Sequence, residues 1–441
     1  MGLLERQFAL EAHGTTVRTE VVAGLTTFLT MAYIIFVQPA VLSAGGMDFG
    51  AVLVATCLST AFATALMALL ANYPIAVAPA MGHNFFFTYA VVIGMKVPWR
   101  IALGAVAVAG AVFVLTAGIG LRERIITAIP TSIKHAIAAG IGLLIAMIGF
   151  EWAGLIVAAP GTLVALGNLH SPPTLLAIGA LAFTSILMAR RVPGAFLWGI
   201  LVSTTLGFPL GLLRYQGVAS WPPSLAPTLL QLDIRGAFAP GMVSVVLVFF
   251  LLALFDSVGT LVAVGEQAGL MRGGTLPRAR QALLADALGT VAGAGLGTST
   301  VTAFIESGAG VAAGGRTGLT SLVTAALFLL SLFFYPLVRT IGGGYVLNGT
   351  TLYPVIAAPL VLVGTLMIGG LRHVAWDDPT EGIPAFLTVI LMPLAASITE
   401  GIAFGLLAYV VLKVGAGRPR EVHPLVFACA VLFLGRYVYL R

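Results

Sequence analysis

GTSTVTAFIESGAGVAAGGRTGLT, residues Gly297–Thr320, sets a carboxylate, Glu306, among glycines, threonines and alanines. Apolar runs long enough to cross a bilayer flank it on both sides. The stretch begins badly as a helix. Thr298–Thr302 is largely β-branched, and Gly308 and Gly310 follow. Branching at Cβ restricts side-chain rotamers against the preceding helical turn. A second stretch, NYPIAVAPAMGHNFFFTYAVVIG at residues 72–94, is interrupted in the same way by Pro74, Pro79 and Gly82. Proline removes a backbone donor. In hydrocarbon, unpaired backbone survives only where protein or a cavity covers it. Each segment is therefore expected to be half extended and half helical, with its helix starting in mid-membrane. The extended halves, near Val77–Ala78 and Thr300–Val301, are expected to pair as a short ribbon. Two such breaks at corresponding positions point to a substrate site.

The rest of the chain fits that frame. Of 441 residues, 59% are hydrophobic and 9% charged, against about a quarter charged in soluble domains. This is the composition of a polytopic α-helical membrane protein. Fourteen apolar runs, from 21–43 to 399–414, are near the ~20 residues a bilayer needs. The run at 424–439 reads as an interfacial helix or an extra span. With the N-terminus in the cytoplasm, inside segments hold fifteen Lys and Arg, including Arg122, Arg124, Lys134, Arg190, Arg272, Arg316 and Arg372. Outside loops hold five: Lys96, Arg100, Arg214, Arg235 and Arg339. That asymmetry fits the positive-inside rule. The +6 charge thus belongs to topology and not to nucleic-acid binding. Cys57 and Cys429 lie in apolar runs, so no disulfide or metal framework is expected, and residues 1–20 lack the pattern of a signal peptide.

AIAAGIGLLIAMIG (136–149) resembles VIAAPLVLVGTLMIG (355–369), half the chain away. Seven spans per half is odd, so the two repeats must be inverted, which places a transporter's site between them near the midplane. Five acids fall within spans: Glu151, Asp256, Asp286, Glu306 and Glu400. A charge at the bilayer centre costs roughly 2.5–3.5 kcal/mol on insertion scales, so each needs a reason. Asp256 and Glu306 lie deepest and suit a substrate or a proton. The other three sit nearer span ends, where solvation or an ion pair serves. His83 falls within the first break, and His135 beside Lys134 reads as interfacial. Two acids with no facing cation suit a proton, a cation or a neutral hydrogen-bond donor, and suit a bare anion poorly. Phe85, Phe86, Phe87, Phe255 and Phe304 are near them in sequence. Aromatic faces beside acceptors suit a flat N–H-bearing heterocycle. There is no Walker lysine, His–Glu metal spacing or nucleophile elbow, so neither enzyme chemistry nor a cofactor is indicated.

The blocks APAMGHNFFF, LFDSVGTLVAVGEQAG, GTSTVTAFIESGAGVAAGGRTGLT and IPAFLTVILMPLAASITEGIAFGLLAY resemble the adenine/guanine/hypoxanthine permease branch of the nucleobase–cation symporter family 2. The likeness runs over nearly the whole chain. It implies two inverted seven-helix repeats (7+7), with spans three and ten half extended. A core would take residues 21–134 and 241–338, and a gate residues 135–213 and 353–414, the gate often mediating homodimers. It implies proton-coupled purine uptake across the plasma (inner) membrane, the core moving like an elevator against the gate. Asp256 and Glu306 match the family's substrate carboxylates, Asn84 its asparagine in the broken third span, and Thr260 a substrate-side position of the related uracil permeases. In this reading the purine stacks near Phe85 and Phe255. Glu306 accepts its N–H groups. Backbone N–H groups around Asn84 and Phe304 face its acceptors. Asp256 carries the proton, with Glu306 and His83 as further candidates. The chain departs from the branch at Ala253, where a second acid is usual, and at Ala80, His83 and Phe85. These departures leave the choice among purines open. A xanthine or uracil carrier of the same fold, or an anion transporter like the sulfate permeases, is the alternative.

Overall fold

The computed structural model describes residues 3–119, 130–271, 276–347 and 349–439; Arg122, Arg124 and Arg272, three of the orientation-setting cations, lie outside the described residues. Among the described residues, eight helices are long and apolar enough to cross a membrane, including Phe49–Ala71, Thr131–Trp152 and Met242–Gln267, and shorter apolar helices include Ala195–Gly207 and Pro379–Leu394. Among the described residues the strands are β1 (Val77–Pro79), β2 (Ile156–Ala159), β3 (Leu163–Leu166), β4 (Val301–Ala303), β5 (Tyr345–Leu347) and β6 (Thr350–Leu352). They form three two-stranded ribbons, β1 with β4, β2 with β3, and β5 with β6.

The β1–β4 ribbon joins the two interrupted segments. Val77 lies opposite Ala303, Ala78 opposite Thr302 and Pro79 opposite Val301, antiparallel and fully buried. Pairing continues past both ends: Ala80 N donates to Thr300 O (3.0 Å) and Phe304 N to Ala76 O (2.9 Å). Threonines on neighbouring helices satisfy the outer edges. Thr64 Oγ1 donates to Val77 O (3.0 Å) and accepts from Val77 N (3.0 Å). Thr290 Oγ1 does the same for Val301, donating to its O (2.8 Å) and accepting from its N (3.2 Å). One device thus serves both strands. Replacing Thr290 with Val keeps the shape and strands two buried backbone groups, at roughly 1–3 kcal/mol each. Thr290→Val is expected to lower the unfolding midpoint in detergent, and Thr290→Ser to restore it.

Beyond each strand the chain turns helical, into Met81–Phe85 on one side and Ser307–Ala312 on the other. Helices Val17–Met31, Phe49–Leu66, Trp99–Ile119, Met242–Gln267, Ala279–Leu296 and Gly318–Ser331 pack together around the ribbon. A second set, Thr131–Trp152, Pro172–Ala189, Ala195–Gly207, Ala357–Ile368, Pro379–Leu394 and Ile398–Gly415, packs mainly within itself. There Gly142 and Gly364 meet backbone to backbone, with no room for a Cβ on either.

Several boundaries differ from expectation. The polar N-terminal segment ends inside the helix that begins at Val17, and Glu20 is fully buried. Its carboxylate accepts from Arg316 N (2.9 Å), Thr317 N (3.3 Å) and Thr320 N (3.1 Å), capping the start of Gly318–Ser331. The run at 135–157 stops as a helix at Trp152, because Gly154 at φ 68° turns the chain into β2. Asp286, expected near a solvated end, is fully buried. Glu400 accepts from Tyr437 of the Pro424–Tyr439 helix. That helix packs on Ile398–Gly415. Its 16 residues reach roughly 24 Å at helical rise, short of the ~30 Å hydrocarbon core.

Candidate functional site

Both deep carboxylates reach one cavity of about 690 Å³, lined by Asp256 and Glu306 together with His83, Phe255, Thr260 and Ile141. A recess of about 100 Å³ continues from it to the ribbon, where Ala80, Thr302 and Phe304 join Asp256, Thr260 and Glu306. The elements explain the convergence. Asp256 projects from Met242–Gln267, which packs on β4. Glu306 is the N-cap residue of the half-helix that follows β4. The break thus carries one acid to the site, and an unbroken helix brings the other.

Each carboxylate is held at one oxygen. Thr302 Oγ1 donates to Asp256 Oδ2 (2.9 Å), and Tyr33 OH donates to Glu306 Oε1 (2.8 Å). Asp256 is exposed to the cavity and Glu306 half-buried, so both retain acceptor capacity toward it. Carboxylates accept only, so the pair suits a ligand that brings its own N–H donors or a proton. Lys134 and His135 lie at the start of Thr131–Trp152 and line the cavity's other end. The His135 ring lies 5.0 Å from that of His373.

The sequence-derived candidates divide. Asp256, Glu306, Thr260, Phe255 and His83 line the main cavity, and Phe304 the recess. Asn84 and Phe85 line neither. Asn84 is fully buried behind the ribbon, where its Oδ1 accepts from Ser299 Oγ. Gln38 Nε2 donates to Ser299 Oγ (3.3 Å) and Thr298 Oγ1 (2.9 Å), so this network locks the two broken segments together. Phe85 stacks on Tyr89 (centroids 5.7 Å, interplanar 16°) and reaches Trp152 at 6.2 Å. Trp152 Nε1 donates to Tyr89 OH (3.1 Å), and Trp152 packs on Tyr353 at 4.3 Å. These four rings bridge the two helix sets. The backbone N–H groups expected to face a ligand are also committed: Asn84 N donates to Ala80 O (3.0 Å) and Phe304 N to Ala76 O (2.9 Å).

Sequence reasoning missed Tyr33 and Thr302. Tyr33 falls between two helices, Val17–Met31 and Ile34–Ala44, within a run read as one continuous span. Its buried ring lies 5.1 Å from Phe196 of the second helix set. Thr302 belonged to the β-branched run, read for conformation and not for its hydroxyl.

A family model described as "Permease family" matches residues 18–404. This chain belongs to that permease family. Among its relatives are the adenine permease AdeP of Escherichia coli, 46% identical over 100% of this chain and 97% of the relative, and the guanine/hypoxanthine permease PbuG of Bacillus subtilis, 44% identical over 98% of this chain and 99% of the relative. The permease also shares its fold with the transmembrane domain of a cyanobacterium bicarbonate transporter, BicA, at a TM-score of 0.62 and 18% identity, covering 90% of this chain and 97% of that one. The permease is therefore a multi-pass membrane transporter and not an enzyme.

Proposed function

We propose that this permease takes up purine nucleobases (adenine, guanine or hypoxanthine) together with protons. The observation that carries the reading is the pair of carboxylates, Asp256 and Glu306, lining one cavity beside the buried ribbon. A purine brings N–H donors to Glu306 and a flat face to Phe255 and Phe304. The names of the adenine and guanine/hypoxanthine relatives support the same cargo. An anion would meet two carboxylates with no cation beside the recess, and likeness to a bicarbonate transporter at 18% identity concerns the fold alone.

The proposed architecture is fourteen segments in two inverted repeats. The recurrence of the Thr64–Val77 device as Thr290–Val301 supports it. The first helix set, with the ribbon, serves as the moving core and the second as the gate. In the orientation given by the loop charges, the end with Lys134 and His135 faces the cytoplasm. The Phe85–Tyr89–Trp152–Tyr353 cluster then closes the outer path. In this inward-facing arrangement, transport requires the core to slide past the gate and break the Tyr89–Trp152 bond.

The test is uptake of radiolabelled adenine, guanine and hypoxanthine by proteoliposomes, with and without an imposed pH gradient. Accumulation of at least one base, driven by the gradient and abolished by a protonophore, is expected. Absence of any purine uptake overturns the cargo, and gradient-insensitive uptake overturns the coupling.

A further inference from the structure

His83 is 3% exposed, and neither of its ring nitrogens has a hydrogen-bond partner among the described residues. A neutral imidazole keeps one N–H donor and one acceptor, and a buried donor left unpaired is costly enough to need an explanation. The polar group near it, the Leu252 carbonyl, lies inside the regular helix Met242–Gln267, where carbonyls are engaged by N–H groups four residues on. The His83 side chain lines the main cavity beside Leu252, Phe255 and Asp256. Glu306, which lines the same cavity, has Oε1 bonded to Tyr33, which leaves Oε2 to accept from a ligand. One cavity thus holds a carboxylate that accepts and an imidazole whose nitrogens lack a regular hydrogen bond.

We propose that His83 contacts the substrate and determines specificity, donating its ring N–H to a ring-nitrogen acceptor of the purine adjacent to the N–H group held by Glu306. The inference rests on the purine reading above and deepens it. Purine edges alternate donors and acceptors, so a carboxylate beside an imidazole N–H reads two neighbouring positions at once. A carboxylate alone reads only the donor. His83 thus discriminates against bases whose corresponding ring position carries C–H.

The test pairs a side-chain deletion with ligand deletions. Uptake of adenine or hypoxanthine, whichever the wild-type protein carries, is compared with analogues in which each ring nitrogen in turn is replaced by C–H. In the wild type, one analogue is expected to show about a tenfold higher KM than its parent, the worth of one hydrogen bond. In His83→Leu, the parent base is expected to rise about tenfold in KM at unchanged maximal rate, and that one analogue to show no further loss. The ligand-free unfolding midpoint of His83→Leu should not fall, because the substitution removes an unpaired polar group. If parent and analogues weaken together, or the variant leaves every KM unchanged, His83 does not read the base. Absence of purine uptake by the wild type sinks the cargo assignment itself, a result distinct from either.

Discussion

Glu306→Gln is expected to abolish purine binding, with a loss of about a hundredfold or more in affinity. The side chain keeps its size, and Tyr33 OH, now 2.8 Å from Glu306 Oε1, can still donate to the amide oxygen. What changes is the remaining position. A carboxylate oxygen that accepts from the base becomes an NH₂ that opposes a ligand N–H. The variant loses a charge-assisted bond worth about 1.5–3 kcal/mol and gains an unpaired donor. About 3 kcal/mol corresponds to roughly a hundredfold. Ligand-induced stabilisation gives the readout, because a bound base raises the unfolding midpoint of the wild type. Glu306→Gln should keep its ligand-free midpoint and show no shift with any nucleobase. A variant that still shifts by the wild-type amount would place the substrate elsewhere.

Much of the fold was legible because hydrocarbon punishes ambiguity. Proline and β-branched runs within spans left few ways to satisfy the backbone, and the ribbon at Val77–Pro79 and Val301–Ala303 is one of them. The carboxylates were legible for the same reason, since an acid deep in a span needs a partner or a task. What one sequence does not carry is rotation about a helix axis. Consecutive residues stand about 100° apart, so Phe85 lies roughly 200° round from His83. One lines the cavity and the other joins the ring cluster at Trp152. Sequence proximity grouped them; helical geometry separates them. Tyr33, Thr302 and Gln38 were hidden differently, because hydroxyls and amides in apolar spans commonly bond within their own helix. Thr204 and Ser331, bonded to Ile200 O and Leu327 O, are local cases of that kind. Only contacts across hundreds of residues distinguish Tyr33 from them. The short hairpins β2–β3 and β5–β6 escaped because strands of three or four residues are too short to show a period in the sequence.

Asp256→Asn separates binding from coupling. The amide oxygen still accepts from Thr302 Oγ1, now 2.9 Å from Asp256 Oδ2, so the tie between the Met242–Gln267 helix and β4 survives. The recess keeps its shape, and Glu306 still holds the base. What the variant lacks is a group that changes charge. On the proposed mechanism, a core carrying an ionised Asp256 past the gate would drag a charge through a low-dielectric barrier, at a cost of several kcal/mol. A proton taken up with the base removes that cost, so the loaded, protonated core moves and the loaded, unprotonated core does not. Asparagine is permanently neutral and lets the loaded core cross without a proton. Counterflow exchange of labelled for unlabelled base should therefore persist within about threefold of wild type, while accumulation against a gradient under an imposed pH difference falls to the equilibration level. Both assays use the same proteoliposomes, so protein yield cancels. Retention of pH-driven accumulation would move the proton to Glu306 or to another group, and loss of exchange as well would make Asp256 a binding residue first.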